Sequence, residues 1–377
     1  MNNEIKTYIS ENQPQLLYTL KELCGIPAPS HFEHKRAQYC KNWLDNIGAK
    51  GVYIDEALNV IFPLNCKDSN EITVFAAHTD TVFPDTNPMP YFDDGEKIHC
   101  PGAADDTASV AVLLMMAKFF VEKKLSPQKG ILFVCNSCEE GLGNLKGIRQ
   151  LFKDFHGRIG RFITFDSVLN VVNDHCVGCH RYEVEVCTKG GHSFGDFGEC
   201  NAIAKLSEIV AEIYKLTVPE KAGTHTTYNV GEISGGTSIN TIAQNAKMLC
   251  EYRSDNQECL DIMKARFETI FEYAHSKNAE INVKSVGDRP CGNIEDEKIQ
   301  SLKQIVVPII EDVIGEKVSF KSSSTDCNIP LSLGVPALCI GVSDYAGMHT
   351  REEWVDKASL LRGLEIAIRL GTTLTKQ

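Results

Sequence analysis

Residues 73–80 read Thr-Val-Phe-Ala-Ala-His-Thr-Asp, a short apolar run that leads directly into a histidine and an aspartate. Two more continuous apolar runs follow at 131–135 and 162–165, and an apolar helical pattern over 107–123 lies between the first two runs. Continuous apolar runs are typical of strands that are buried on both faces. The sequence therefore predicts an α/β fold, with a mostly parallel sheet that carries helices on both faces.

The pattern changes near His180, where residues 182–187 alternate apolar and polar side chains as a half-exposed antiparallel strand does. Further elements of this region are predicted at 201–216 (helix), 228–253 (a Gly-rich strand region), 257–277 (helix) and 280–286 (strand). The rest of the chain belongs with the buried strands described above. It contains predicted helices at 14–24, 33–47 (ending at Gly48), 295–314 and 356–374 and a predicted strand at 336–340. We interpret 1–180 and 288–377 as a catalytic domain, interrupted by a smaller α/β lid domain at 181–287.

The composition excludes several classes of protein. The chain has 377 residues, enough for two domains, and a formal net charge of −12. An acidic excess argues against a nucleic-acid or anionic-membrane partner. The sequence has no apolar stretch of about 18 residues that would predict a transmembrane helix, and its first 15 residues lack a signal-peptide core. The fifteen cysteines are therefore expected to be reduced thiols of a cytoplasmic protein.

Polar side chains follow each of the three apolar runs. His78 and Asp80 follow the first run, Glu139 and Glu140 the second, and Asp166 the third. Ligands of open α/β sheets bind just beyond the carboxyl ends of the strands, so these side chains are expected to converge. Two further candidates are Asp105, in the loop before the apolar helix, and His349, after the last strand. Imidazole and carboxylate ligands in this number suit one zinc ion or a two-metal site.

Each of these residues has a simpler interpretation when it is considered alone. A single acid at such a position is more often a helix cap or a solvated loop residue. The same placement at three strand ends is harder to explain in that way, because unpaired acids beside apolar strands are costly.

The same motifs resemble those of a known family. They are, in chain order, His78-Thr79-Asp80, Gly102-Ala103-Ala104-Asp105, Glu139-Glu140-Gly141, Asp166, Gly191-His192-Ser193 and His349. In this order they resemble the co-catalytic zinc metallopeptidases that include glutamate carboxypeptidase, peptidase T, succinyl-diaminopimelate desuccinylase and aminoacylase. The His-Thr-Asp-Thr-Val segment starting at His78 is most similar to the peptidase T-like and carboxypeptidase members.

The resemblance implies a site with two Zn²⁺ ions per chain, in which Co²⁺ or Mn²⁺ are alternatives. Asp105 would bridge the two ions. His78 and Asp166 would complete the protein ligands of one ion, and Glu140 and His349 those of the other.

The resemblance also implies the roles of the two remaining acids. Asp80 would hold His78 in its tautomer, as the partners of ligating histidines usually do. Glu139 would be the general base, which takes a proton from the metal-bridging water and delivers it to the leaving amine.

Three residues of the lid match family positions that contact the substrate. His192 would polarise the scissile carbonyl, often from the lid of a partner subunit, and Asn240 would contact the substrate. Arg253 would bind a substrate carboxylate, for which a guanidinium group is well suited. The alternatives are a surface histidine in a Gly-rich turn, a turn asparagine and a salt bridge within the strand.

Some features depart from the family pattern or compete with it. Many relatives have lysine where this chain has Thr107, and a small or acidic residue where it has Cys138. The segment 322–326 is either a loop near the site or a polar turn. Two C-x-x-C pairs, at 135–138 and 176–179, suggest a structural zinc site. Buried thiols explain them more simply, because the first pair lies at the end of a buried strand, where i and i+3 point to opposite faces.

The predicted function is hydrolysis of amide bonds in short peptides by a two-zinc enzyme of the dipeptidase, tripeptidase, aminopeptidase or carboxypeptidase type. Two alternatives remain open at this point: a deacylase of N-acyl amino acids in the same family, and a non-catalytic scaffold relative. A homodimer that forms through the lid domain is expected, with a small peptide or N-acyl amino acid as the substrate.

Overall fold

The computed structural model describes residues 2–275, 278–292 and 296–374, and the chain divides into two units. Unit 1 comprises Met1–Cys176 and Gly292–Gln377, and unit 2 comprises Val177–Cys291. Unit 2 is thus inserted into unit 1, and it contains the segment 181–287 that the sequence predicts as a lid. None of the described helices has the length and apolar character needed to cross a membrane.

The described helices of unit 1 are α1 (Asn2–Cys24), α2 (His34–Asn46), α3 (Ala108–Glu122), α4 (Lys146–Asp154), α7 (Asp296–Ile314), α8 (Asn328–Ser332) and α9 (Lys357–Leu374). Its main sheet contains β1 (Tyr53–Ile54), β2 (Val60–Leu64), β3 (Ile72–His78), β6 (Ile131–Asn136), β7 (Ile159–Phe165), β8 (Val171–Cys176), β15 (Ser319–Ser323) and β16 (Ala337–Ile340). A second, small sheet contains β4 (Phe92–Asp93), β5 (Lys97–His99), β17 (Tyr345–Ala346) and β18 (Trp354–Asp356).

The main sheet has the strand order β1-β2-β6-β3-β7-β16-β8-β15. Its central strands β6, β3, β7 and β16 are parallel to one another, whereas β2 and β8 run antiparallel to their neighbours β6 and β16. Every residue of β3 and β6 is buried, which explains why their sequences are continuously apolar.

Helices cover both faces of this sheet. Phe120 of α3 packs edge-on against Phe133 of β6, with the ring centroids 5.4 Å apart. On β7, Ile163 is in register with Phe75 of β3, which in turn is in register with Phe133, so the three side chains share one face. The preceding residue, Phe162, points to the opposite face and contacts Phe152 of α4. The predicted fold class is therefore confirmed.

Unit 2 has its own sheet and core. Its elements are β9 (Gly178–Thr188), β10 (Gly191–His192), α5 (Ala202–Ile213), β11 (Thr226–Gly235), β12 (Thr241–Ile242), β13 (Asn245–Ser254), α6 (Gln257–Ala274) and β14 (Ala279–Arg289). The antiparallel order is β11-β13-β9-β14. Tyr182, Val184 and Val186 of β9 are buried in a core with α5 and α6, which accounts for the alternating sequence.

Several element boundaries differ from those predicted. Helix α1 begins at Asn2 rather than at 14, and Pro14 lies inside it. Strands β8 and β15 were not predicted, because their sequences are partly polar. The last two residues of the predicted helix 257–277 and the first residue of the predicted helix 295–314 lie outside the described residues.

Candidate metal centre

The predicted ligands of unit 1 lie at the carboxyl ends of three adjacent parallel strands. His78 is the last residue of β3, and Asp166 directly follows β7. Glu139 and Glu140 follow β6 after Cys138, whose φ of +56° turns the chain in the left-handed region. Because β6, β3 and β7 are neighbours in the sheet, these side chains meet at one edge.

Two loops bring the remaining ligands to this edge. Asp105 lies in an irregular turn, Ala103–Thr107, which begins after Gly102 and precedes α3, and its own backbone is not helical (φ −113°, ψ 95°). Gly102 has a φ of +75°, and a Cβ there would stand 2.7 Å from the Thr81 methyl group, so the tight turn requires glycine. His349 also adopts a left-handed φ of +64°, a conformation that costs a non-glycine residue about 1–3 kcal/mol and is concentrated at functional sites.

Asp105 stands at the centre of the cluster. Its Oδ1 lies 2.9 Å from His78 Nε2, and its Oδ2 lies 2.9 Å from His349 Nε2. The His349 Nε2 atom is also 3.3 Å from Glu140 Oε1. Each oxygen of this one carboxylate therefore faces a different imidazole ring.

The side chains form overlapping groups whose potential ligand atoms lie within 4.8 Å of one another. One group is His78, Asp105 and Asp166, and another is Asp105, Glu140 and His349. The two groups share only Asp105. Glu139 also lies within this distance of His78 and Glu140. Nitrogen and oxygen donors in this arrangement suit zinc and similar divalent ions, so these residues could hold metal.

The electrostatics of the cluster favour positive charge. Burial and the nearby charge of Asp105 raise the pKa of Glu140 to about 7 and also raise the pKa of Asp166 well above its usual value. Hydrogen bonds with Asp105 and Glu140 raise the pKa of His349 to about 10. For Asp105 the effect of burial is outweighed by its hydrogen bonds with His349 and His78, so its pKa is lowered. Buried carboxylates this close together need cations to remain ionised.

Asp80 connects His78 to the glutamate pair. Its backbone oxygen lies 3.0 Å from His78 Nδ1. Its carboxylate accepts hydrogen bonds from the backbone N–H groups of Glu139 and Glu140, both at 2.9 Å, and from the Ser30 hydroxyl at 2.7 Å. Asp80 thus holds the ring of His78 through its backbone oxygen and the start of the Glu139–Glu140 segment through its carboxylate.

The structure adds residues that the sequence did not single out. Arg36 is buried and donates from Nη1 to the Thr79 carbonyl and to Thr107 Oγ1, which links the strand end of His78 to the turn that holds Asp105. Thr107, the departure from the family pattern, is therefore part of a buried hydrogen-bonded contact. Glu353 accepts hydrogen bonds from the backbone of the Asp105 turn.

Asp326 resolves the two interpretations of the segment 322–326. Its Oδ2 accepts a 2.7 Å hydrogen bond from Asn136, the last residue of β6, and the side chain is 1% exposed. Burial and the negative charge of nearby Glu139 raise the pKa of Asp326 to about 8. The buried end of the segment, Thr325 and Asp326, is therefore close to the candidate metal centre, whereas Ser322 and Ser323 form the end of β15.

The structure brings His192 and Asn240 together at one edge of unit 2. His192 lies on β10 and pairs in register with Thr241 of β12, while the Asn240 carbonyl accepts a hydrogen bond from Ser193 N. His192 Nδ1 accepts from the backbone N–H groups of Phe194 and Gly195, at 3.3 and 3.2 Å. Because Nδ1 is an acceptor, the ring proton belongs on Nε2, which makes Nε2 a donor.

Arg253 lies near the carboxyl end of β13, one residue before the strand ends at Ser254. Its Nε and Nη2 donate to Glu251, at 2.7 and 3.1 Å, and Arg181 contacts the same carboxylate. The salt bridge within the strand that the sequence left open is therefore present. A substrate carboxylate would have to bind the remaining N–H groups of Nη1 and Nη2 or displace Glu251.

All fifteen cysteines are free thiols, and thirteen of them are buried. Within the described residues, none contributes to a group that could hold a metal ion. The structure therefore gives no support to a structural zinc site at the two C-x-x-C pairs.

Comparison with known proteins places the chain in a family. The sequence pattern of peptidase family M20/M25/M40 matches residues 74–372. The chain belongs to this family. The resemblance inferred from the motifs is thereby confirmed, and membership makes the chain an enzyme, an amide hydrolase of the M20 family.

Individual relatives match over almost the whole length of the chain. Succinyl-diaminopimelate desuccinylase from Corynebacterium glutamicum is 24% identical over 366 residues, which cover 94% of this chain and 95% of the relative. The crystal structure of aminopeptidase PepT from Bacillus cereus superposes with a TM-score of 0.72 at 21% identity, covering 95% of this chain and 98% of PepT. The YXEP protein of Bacillus subtilis, described as a dinuclear metal binding peptidase, has a TM-score of 0.65 at 12% identity, covering 97% of this chain and 99% of YXEP. The structural matches show that the fold is shared.

Proposed function

We propose that the M20 enzyme described here uses two zinc ions to hydrolyse amide bonds in short peptides. The observation that carries the proposal is the position of Asp105, whose two oxygens each face a different imidazole at 2.9 Å. A carboxylate in this position suits a bridge between two cations. YXEP, which shares the fold, is described as dinuclear, and this supports the same arrangement here.

In this assignment one ion is held by His78, Asp105 and Asp166, and the other by Asp105, Glu140 and His349. Bound there, the ions would supply Lewis acidity to the scissile carbonyl and lower the pKa of the attacking water. The protein's own part is to fix the ligands. Asp80 does so for His78, through a backbone oxygen 3.0 Å from Nδ1.

We assign Glu139 as the general base and acid. Its backbone is held by Asp80 at the edge where the ligands converge, and its carboxylate lies near His78 and Glu140. In the first half of the reaction Glu139 takes a proton from the attacking water, and in the second half it delivers that proton to the leaving amine. A non-catalytic scaffold would not need this residue beside a complete ligand set.

We further propose that His192 and Asn240 bind substrate. In a homodimer formed through unit 2, His192 Nε2–H would donate a hydrogen bond to the scissile carbonyl of the substrate that is bound to the partner subunit. The hydrogen bonds at Nδ1 support this assignment because they leave the proton on Nε2. A His192→Ala enzyme with wild-type kcat would contradict it.

A cytoplasmic location is supported by the fifteen free thiols.

The experiment that tests the function is a substrate panel for the zinc-reconstituted protein. The panel contains di- and tripeptides, their N-acylated forms, N-acyl amino acids and a folded protein, with product identification. We expect cleavage of short peptides and negligible cleavage of the folded protein. Exclusive cleavage of N-acyl amino acids would favour the deacylase alternative, which the desuccinylase relative supports.

Arg253→Ala is expected to raise KM about tenfold or more for substrates with a free carboxylate, because charge-assisted hydrogen bonds to a guanidinium contribute about 1.5–3 kcal/mol. The measurement compares a tripeptide with its C-terminal amide, and the amide should respond much less. Lys247→Ala, which removes an exposed cation from the same strand, serves as the control. Unchanged kcat and KM for every substrate would make Arg253 a structural residue that pairs with Glu251.

A further inference from the structure

Glu353 lies between the two loops that bring Asp105 and His349 to the metal centre. It is 1% exposed, follows His349 by four residues and directly precedes β18. Its backbone oxygen accepts a hydrogen bond from Cys100 N, next to the β5–β18 pairing. The side chain then reaches the turn that carries Asp105.

The Glu353 carboxylate accepts three backbone hydrogen bonds from that turn. Oε2 accepts from Gly102 N at 2.9 Å, and Oε1 accepts from Ala104 N at 2.7 Å and from Asp105 N at 3.0 Å. The left-handed φ of Gly102 turns the chain so that these N–H groups converge on one anion. The backbone of Asp105 is therefore fixed by a side chain 248 residues away in sequence.

We propose that Glu353 is a positioning residue for the reaction, which holds the Asp105 turn so that the Asp105 carboxylate stands between both groups of metal ligands. This inference rests on the proposed two-metal function. Glu353 has no contact with substrate in this assignment and acts only through Asp105. Loss of Glu353 should therefore weaken the binding of both metal ions together, whereas loss of His349 should weaken mainly the binding of one.

The test is Glu353→Gln, which keeps the shape but places an NH₂ group against a backbone N–H donor. Partners that orient metal ligands typically contribute about 10–100-fold in affinity or activity. We expect both zinc affinities, measured by calorimetric titration, to fall in parallel by about this factor, and kcat/KM to fall with them. Glu352→Gln, at the exposed neighbouring residue, is the matched control and should retain both affinities.

A second readout does not depend on metal. In the metal-free protein, hydrogen exchange of the amides of Gly102, Ala104 and Asp105 should be faster in Glu353→Gln than in the wild type. Wild-type exchange together with wild-type affinities would overturn the inference. A wild-type protein that binds no zinc would instead refute the proposed function. Hydrogen exchange of the three amides would still decide whether Glu353 holds the turn. Should Glu353→Gln fail to fold, Glu353→Asp, which is one methylene shorter, is judged by the same two measurements.

Discussion

Replacement of Asp105 by alanine is expected to abolish binding of both metal ions and to lower kcat/KM by more than about 100-fold, because even residues that only orient metal ligands contribute about 10–100-fold. Asp105 is the one residue shared by the two ligand groups, and its oxygens face His78 and His349. The measurement is zinc content after dialysis, followed by steady-state kinetics. Asp45→Ala, at an aspartate on α2 that pairs with Lys41, is the control and should keep both ions.

An Asp105→Ala enzyme that loses one ion and keeps the other at wild-type affinity would show that Asp105 belongs to a single site. In that case the two groups of ligands would not be joined by a bridge. Circular dichroism of the metal-free variant separates this outcome from unfolding.

Glu139→Gln is expected to retain both ions and to lose about 10²–10⁴-fold in kcat, the usual contribution of general acid–base catalysis. The amide keeps the size of the side chain but cannot take the proton. Its neighbour provides the matched comparison. Glu140→Gln should weaken the binding of the ion that His349 and Asp105 would also hold, because Glu140 Oε1 lies 3.3 Å from His349 Nε2.

The opposite pattern would exchange the two roles. If Glu139→Gln loses an ion while Glu140→Gln keeps both, Glu139 is the ligand, which its proximity to His78 permits. Nearly normal turnover in Glu139→Gln would exclude it as the proton carrier.

The fold and the cluster in unit 1 could be predicted because their signals are local in sequence. A buried parallel strand has a continuously apolar sequence, and the residues at or just after its carboxyl end lie at the site edge, as His78 at the end of β3 and Asp166 after β7 do. The start of α1 was missed because its buried residues Ile5, Tyr8 and Ile9 are few among polar and charged neighbours. Strands β8 and β15 were missed because polar residues interrupt them.

The supporting residues could not be predicted because their roles depend on contacts between distant segments. Glu353 contacts the Asp105 turn across 248 residues, and Arg36 reaches Thr107 across 71. Only the folded chain brings these pairs together. A buried arginine on a helix and a glutamate before a short strand have no distinctive local pattern. The Glu251 partner of Arg253 was, by contrast, recognisable as an alternative, because i and i+2 on a strand share a face.

The most direct test of the two-metal site is a zinc titration of the metal-free wild-type chain, with stoichiometry read by calorimetry and by native mass spectrometry. We expect two zinc ions per chain, and we expect neither to bind with wild-type affinity when Asp105 is alanine. A wild-type chain that binds one zinc ion, or none, would contradict this expectation.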